Sequence, residues 1–67
     1  MNYIVLEIQT SNGTTALLPP LVYEDRIEAE AVFLEKCAAA RRSGLAVHTA
    51  VLMDNEGKQI AKKVFKA

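Results

Sequence analysis

One long helix-forming run, residues 24–42, lies between two stretches with strand-like patterns, and it constrains the fold more than any other feature of the chain. It consists mainly of strong helix formers and contains no Gly or Pro before Gly44. Acidic residues dominate its first turns, and Arg41 and Arg42 end it, an order that complements the helix dipole. Because Ser43-Gly44 supplies a stop signal, the run predicts one helix from Glu24 to Arg42.

The buried face of this helix is predicted from the helical period of about 100° per residue. One apolar stripe consists of Ile27, Ala31, Leu34 and Ala38, with Phe33, Cys37 and Ala40 beside it. Asp25, Glu28, Glu35 and Lys36 fall on the opposite side. Glu30 projects into the apolar sector, one turn after Arg26. We expect the stripe to face the core and Glu30 to pair with Arg26 at its rim, whereas a buried Glu30 would be a site candidate.

The residues before the helix predict a β-hairpin. Tyr3–Gln9 alternates, with Ile4, Leu6 and Ile8 on one face, and Asn12-Gly13 is a strong hairpin signal. A second strand follows from about Thr14 or Thr15 to Leu18. It runs into Pro19-Pro20, which cannot donate to a ladder, so this strand is predicted at a sheet edge.

The residues after the helix predict a second hairpin. Leu45–Met53 has the strongest strand pattern of the chain. Residues 54–57 are predicted as a turn, with Gly57 at the position that needs a positive φ. The segment from Lys58 to about Phe65 is predicted as the second strand of this hairpin. A four-residue loop places Val51 opposite Ile60, Val47 opposite Val64 and His48 opposite Lys63. Lysines along the last strand favour the other sheet edge.

These elements predict a single α+β domain, residues 1–67, with β-β-α-β-β order and one helix across one face. The sheet is antiparallel, with strand order 2-1-3-4. The helix stripe is expected to cover Ile4, Leu6, Ile8, Val47, Val51, Ile60 and Val64. The opposite sheet face is then open, and its candidate interface residues are Tyr3, Val5, Glu7, Ala46, His48, Ala50 and Leu52.

Composition limits the classes of function. The chain has 67 residues, a formal net charge of zero and one cysteine, so its core is thin and no disulfide reinforces it. Zero net charge gives no general attraction to nucleic acid or anionic lipid. A single cysteine, predicted as a small buried hydrophobe, fits a reducing cytoplasm, and neither a signal peptide nor a membrane span is predicted. High apolar content at zero net charge favours self-association.

No catalytic, cofactor-binding or metal-binding motif is present in the sequence, so we predict no catalytic residues, no cofactor and no metal. His48 is the only histidine. It is interpreted as a strand histidine with local hydrogen bonds; the alternative is an acid–base group coupled to Glu7 or Glu30. A nucleic-acid surface is the other candidate site, and its residues are Arg41, Arg42, Lys58, Lys62, Lys63 and Lys66. Without a stacking platform beside it, we interpret this set as a solvated edge.

Three short segments resemble a group of small bacterial proteins. They are Tyr23-x-Asp25-x-x-Glu28-Ala29-Glu30, Val47-His48-x-Ala50-Val51 and Glu56-Gly57. The group is associated with phage-like or conjugative elements. The resemblance implies the β-β-α-β-β layout and residence in the bacterial cytoplasm, and it implies no activity, substrate or catalytic residue.

Three hypotheses of function follow. The first is a non-enzymatic interaction domain that forms a homodimer or higher homo-oligomer through its open sheet face. The second is a nucleic-acid-associated accessory protein that uses the basic edge strand. The third is a small-ligand or enzymatic site shared between protomers around His48 and Glu7.

Overall fold

The computed structural model describes residues 1–66, which form five strands and one helix. The elements are β1 (Tyr3–Ser11), β2 (Thr14–Leu17), β3 (Leu21–Tyr23), α1 (Arg26–Arg42), β4 (Val47–Asp54) and β5 (Gln59–Lys66). All neighbouring strands are antiparallel, in the order β2-β1-β4-β5, and α1 lies across one face. The predicted α+β class, the two hairpins and the order of the four main strands are therefore confirmed.

The short strand β3 was predicted only as an extended segment leading into the helix. It pairs with Tyr3–Val5, whereas β2 pairs with Ile8–Ser11. Because β4 occupies the other edge of β1, the two short strands lie end to end along one edge. Pro19 and Pro20 fall between them, where the missing N–H groups interrupt the ladder.

The helix begins two residues later than predicted and ends where predicted. Asp25 is its N-cap: the backbone is extended there, and a carboxylate oxygen accepts a hydrogen bond from Ile27 N at 3.1 Å. At the other end Ser43 N donates to Ala40 O, and Gly44 adopts a φ of +70°, the left-handed conformation that glycine tolerates.

The predicted rotation of the helix is wrong. The residues that it buries are Ala29, Phe33 and Ala40, whereas Ile27 and Leu34 are 77% and 64% exposed. Ala31 and Ala38 are exposed as well. Apolar residues lie on two opposite sides of this helix, so periodicity alone did not decide which side faces the sheet. Ala29 and Ala40 have almost no side-chain bulk, which allows the helix to approach the sheet closely while Phe33 fills the space between them.

The predicted choice of sheet face is also wrong. Val5, Ala50 and Leu52 join Ala29 and Phe33 in the buried core under the helix. All but one of the candidate interface residues lie on this covered face: Tyr3, Val5, Glu7, His48, Ala50 and Leu52. Ala46 lies before β4 and is exposed. The uncovered face is the one that carries Ile4, Leu6 and Ile8, since alternate residues of a strand point to opposite sides.

The register of the second hairpin differs from the prediction by two residues. Val51 pairs with Lys62, Val47 with Lys66 and His48 with Phe65. The longer connection arises because Asp54 Oδ1 accepts hydrogen bonds from Glu56 N at 2.9 Å and Lys58 N at 3.0 Å, which organises the turn. A bulge between Leu52 and Met53 absorbs the remaining irregularity.

Candidate functional site

A cluster of polar side chains is enclosed between the helix and the sheet, and His48 is its centre. His48 is 3% exposed; its Nε2 lies 2.9 Å from Glu7 Oε2, and its Nδ1 lies 3.2 Å from Ser43 Oγ. Lys36 Nζ approaches the other oxygen of Glu7 at 3.4 Å. Strands β1 and β4 bring Glu7 and His48 to the same face, α1 contributes Lys36, and the segment after the helix contributes Ser43.

Further hydrogen bonds tie this cluster to its surroundings. The Ser43 hydroxyl donates to Ala40 O at 2.9 Å, and Ser43 Oγ accepts from Leu45 N at 3.4 Å. Gln9 also belongs to the cluster, because its Nε2 lies 3.5 Å from His48 Nε2. In the residues the structure describes, no buried polar side-chain atom lacks a partner.

Serine, histidine and glutamate also form hydrolase triads, but the geometry here does not support that chemistry. The nucleophile of a triad donates to the histidine, whereas the Ser43 hydrogen is directed at the Ala40 carbonyl. Ser43 caps the C-terminal end of the helix, where the dipole disfavours a developing negative charge. The cluster instead joins α1 to β1 and β4 by hydrogen bonds and an ion pair.

His48 and Glu7 were also candidates for a site shared between protomers. Both lie under α1 of their own chain, and the Glu7 side chain is 12% exposed. The structure therefore places this pair inside one chain.

Glu30 lies at the rim of the core, where it was predicted. Its Oε1 is 3.2 Å from Arg26 Nε, one helical turn away, and both side chains are about half exposed. A pair exposed to this extent is screened by solvent and stabilises the fold only weakly. Glu30 is therefore not a buried site residue.

Cys37 packs against the core from the edge of the helix and is partly buried. Burial raises the pKa of its thiol, and the positive charge of Lys63 lowers it to a smaller extent. Because the net shift is upward, the thiol is a poor nucleophile at neutral pH.

The six basic candidate residues do not form one surface. Arg41, Arg42 and Lys63 line a groove of about 440 Å³ on the helix side, together with Cys37 and Phe65. Two others lie elsewhere: Lys62 and Lys66 belong to the opposite sheet face. Lys58 lies near the turn at the far end of β5, beside Asp54 and Arg26.

The uncovered side of the sheet, here called the open sheet face, is mostly apolar. Its apolar residues are Ile4, Leu6, Ile8, Leu17, Val22, Val47, Val51, Met53 and Val64. Leu17 and Val22 are each more than half exposed, and Val64 is nearly half exposed, whereas Val51 is only 8% exposed. Lys62 and Lys66 lie along its β5 margin. Sequence reasoning assigned six of these residues to the core: Ile4, Leu6, Ile8, Val47, Val51 and Val64. Ile60, predicted with them, does pack against the core cluster.

A second apolar surface lies on the other side of the molecule, and we call it the outer helix stripe. It consists of Ile27, Ala31, Leu34 and Ala38, all exposed. Glu28 and Glu35 lie along one border of the stripe and are exposed as well. The sequence signal for this surface was the presence of apolar residues on both sides of one helix.

Comparison of the chain with protein-family models, with curated proteins and with solved structures gave no match in any of the three. No helix within residues 1–66 is long and apolar enough to cross a membrane. Over the same residues, no group of three or more His, Cys, Asp or Glu side chains is arranged to hold a metal ion.

Proposed function

We propose that this protein is a non-enzymatic assembly domain that binds further copies of itself through the open sheet face. The observation that carries the proposal is that a five-stranded sheet is covered by a helix on one side only, while the other side is lined mostly by aliphatic residues. Antiparallel sheets that face water on one side normally carry polar residues there. A contiguous apolar patch of this kind marks an interaction surface.

The dimensions of the open sheet face suit a second copy of the chain. Strands of eight or nine residues are roughly 27–30 Å long, and four strands about 4.8 Å apart give a width of roughly 15–20 Å. The projected area is therefore roughly 400–600 Å², and side-chain relief makes the accessible area larger. A standard interface buries about 800 Å² on each partner, so this face is of the right order. Burial there would also supplement a core that is small for an independent domain.

The test replaces Leu6 and Leu17 by Lys and measures the mass in solution by sedimentation velocity between 10 μM and 1 mM. Leu6 lies on β1, in the middle of the face, and Leu17 lies on the edge strand. The matched control is Ala16→Lys, an exposed neighbour that points to the other side of the sheet. We expect association in the wild type and in the control, and a monomer with unchanged circular dichroism in the double variant. A wild type that is monomeric at 1 mM would overturn the proposal.

A second candidate function is binding of single-stranded nucleic acid in the groove of Arg41, Arg42 and Lys63. The observation that favours it is the convergence of three cationic side chains beside Phe65, onto which a base could stack. Three phosphate contacts predict a logarithmic salt slope of about −2 for a single strand. A titration of a labelled oligonucleotide at several salt concentrations measures that slope. An affinity that does not change with salt concentration would exclude this function.

The bacterial cytoplasm and an origin in phage-like or conjugative elements belong to the same proposal, and they rest on the resemblance of the three short segments. An assembly domain with a single free cysteine suits a reducing compartment. Fluorescence imaging of a tagged chain in its native host, with fractionation as the second measurement, tests the location.

A further inference from the structure

We infer that the surface which occupies the open sheet face is the outer helix stripe of the next copy, so that the assembly is head-to-tail. This inference rests on the proposed function and specifies its partner surface. Its starting point is that the chain exposes two apolar surfaces on opposite sides, one on the sheet and one on the helix. A head-to-tail contact covers both of them with one type of interface.

The two surfaces match in shape. Helix α1 has 17 residues and is therefore about 25 Å long. This is close to the length of β4, an eight-residue central strand of the sheet. The stripe alternates the large side chains of Ile27 and Leu34 with Ala31 and Ala38, which gives the helix a ridge with small gaps. Packing it on a flat aliphatic sheet repeats the helix-on-sheet layering that α1 already makes on the other side of its own sheet.

Charges of opposite sign lie along one border of each surface. Glu28 and Glu35 flank the stripe along its length, Arg41 and Arg42 lie at its C-terminal end, and Lys62 and Lys66 flank the open sheet face. Docking the stripe with this border toward β5 brings carboxylates toward ammonium groups. Pairing two helix stripes antiparallel would instead bring Glu28 and Glu35 of one chain near the same acids of the other. Pairing two open sheet faces would leave both helix stripes exposed to water.

A head-to-tail contact has a consequence that a two-fold contact does not have. It leaves one free surface of each kind at the ends of every dimer, so copies continue to add until a ring closes or a filament grows. The wild-type mass should therefore rise with concentration beyond that of a dimer.

The test uses two variants, each with one surface blocked. The sheet variant is Leu6→Lys with Leu17→Lys, and the helix variant is Ile27→Lys with Leu34→Lys. Ile27 and Leu34 are largely exposed, so their replacement leaves the fold intact, which circular dichroism checks. We expect each variant alone to be monomeric at 1 mM. Mixed in equal amounts, they should form a complex of one copy of each and nothing larger, because only one native sheet face and one native stripe are then available.

The outcomes separate the inference from the proposed function. A helix variant that still associates as the wild type does overturns the inference and leaves self-association through the sheet intact. Two monomeric variants that form no mixed complex also overturn it. Wild type that is monomeric at 1 mM overturns both.

A charge reversal provides a second measurement that does not depend on apolar substitutions. Lys62→Glu with Lys66→Glu should weaken self-association about fivefold to tenfold at low salt, the range expected for two exposed pairs. Adding Glu28→Lys and Glu35→Lys to the same chain should restore it. If the lysine substitutions weaken self-association but the added glutamate substitutions do not restore it, the lysines contact a different surface.

Discussion

Phe33 and Leu34 are neighbours in sequence and about 100° apart around the helix, and only Phe33 is buried. Replacing each by alanine therefore tests how the helix is docked. Phe33 is 6% exposed and belongs to the core cluster with Val5, Ala50 and Leu52. Truncating a buried Phe costs about 3–5 kcal/mol through lost burial and the cavity that remains. Leu34 is largely exposed, and alanine is the better helix former, so Leu34→Ala should change the free energy of unfolding by less than about 0.5 kcal/mol.

The assay is urea denaturation followed by far-ultraviolet circular dichroism at 5 μM, a concentration chosen to keep assembly small. With an m value of about 1 kcal/mol per molar urea, the midpoint of Phe33→Ala should fall by about 3 M or more relative to Leu34→Ala. A domain of this size has a total stability near the lower end of about 5–15 kcal/mol, so Phe33→Ala is expected to be close to unfolded without urea. Phe33→Leu is the milder companion, with an expected loss of about 1 kcal/mol. If Leu34→Ala proves as costly as Phe33→Ala, the helix packs through its other side and the core described above is wrong.

Three further predictions concern single side chains, each measured by urea denaturation unless stated. Glu30→Gln should cost about 0.5 kcal/mol or less, because its ion pair with Arg26 is half exposed, and a loss of several kcal/mol would reveal a buried charge. Glu7→Gln should cost about 1–3 kcal/mol, because Lys36 and the buried His48 lose their carboxylate partner, and the exposed Glu35→Gln is the control. Burial raises the pKa of Cys37 in the folded chain, so the stability that its neutral thiol contributes is full below the unfolded-state pKa and is lost as pH rises through the folded-state pKa. The loss of stability with alkali should therefore be smaller in Cys37→Ala, and iodoacetamide should modify the folded wild type more slowly than the urea-unfolded chain at pH 7.5.

The order of the elements was predictable because local chemistry decides it. Asn12 and Gly13 both adopt positive φ, +52° and +78°, as the hairpin signal requires. The two prolines place their strand at an edge, and the lysines of β5 do the same at the other edge. Only residues close in sequence take part in these choices, so a single chain contains enough information to make them.

The faces were not predictable from the same patterns. One face of β1 is fully apolar and the other is mixed, and both sides of α1 carry apolar residues, so the apolar pattern allows two opposite packings. Glu7 and His48 favoured the wrong one, because a carboxylate and an imidazole are usually exposed. Their burial is stabilised by Lys36 and Ser43, which come from the helix and the segment after it. A partner far away in sequence leaves no local signal.

The packing that the sequence predicted within one chain is the packing that we infer between chains. The outer helix stripe and the face of Ile4, Leu6 and Ile8 were matched by apolar pattern alone, and the structure shows that α1 uses the other side of each. The two surfaces still match each other in apolar pattern and in charge when the stripe comes from one copy and the sheet face from another. The one helix covers only one side of the five-stranded sheet. In the assembly that we infer, the helix of a neighbouring copy would supply the layer on the other side. Binding should therefore return when the helix variant, which keeps its native sheet face, is mixed with the sheet variant, which keeps its native stripe.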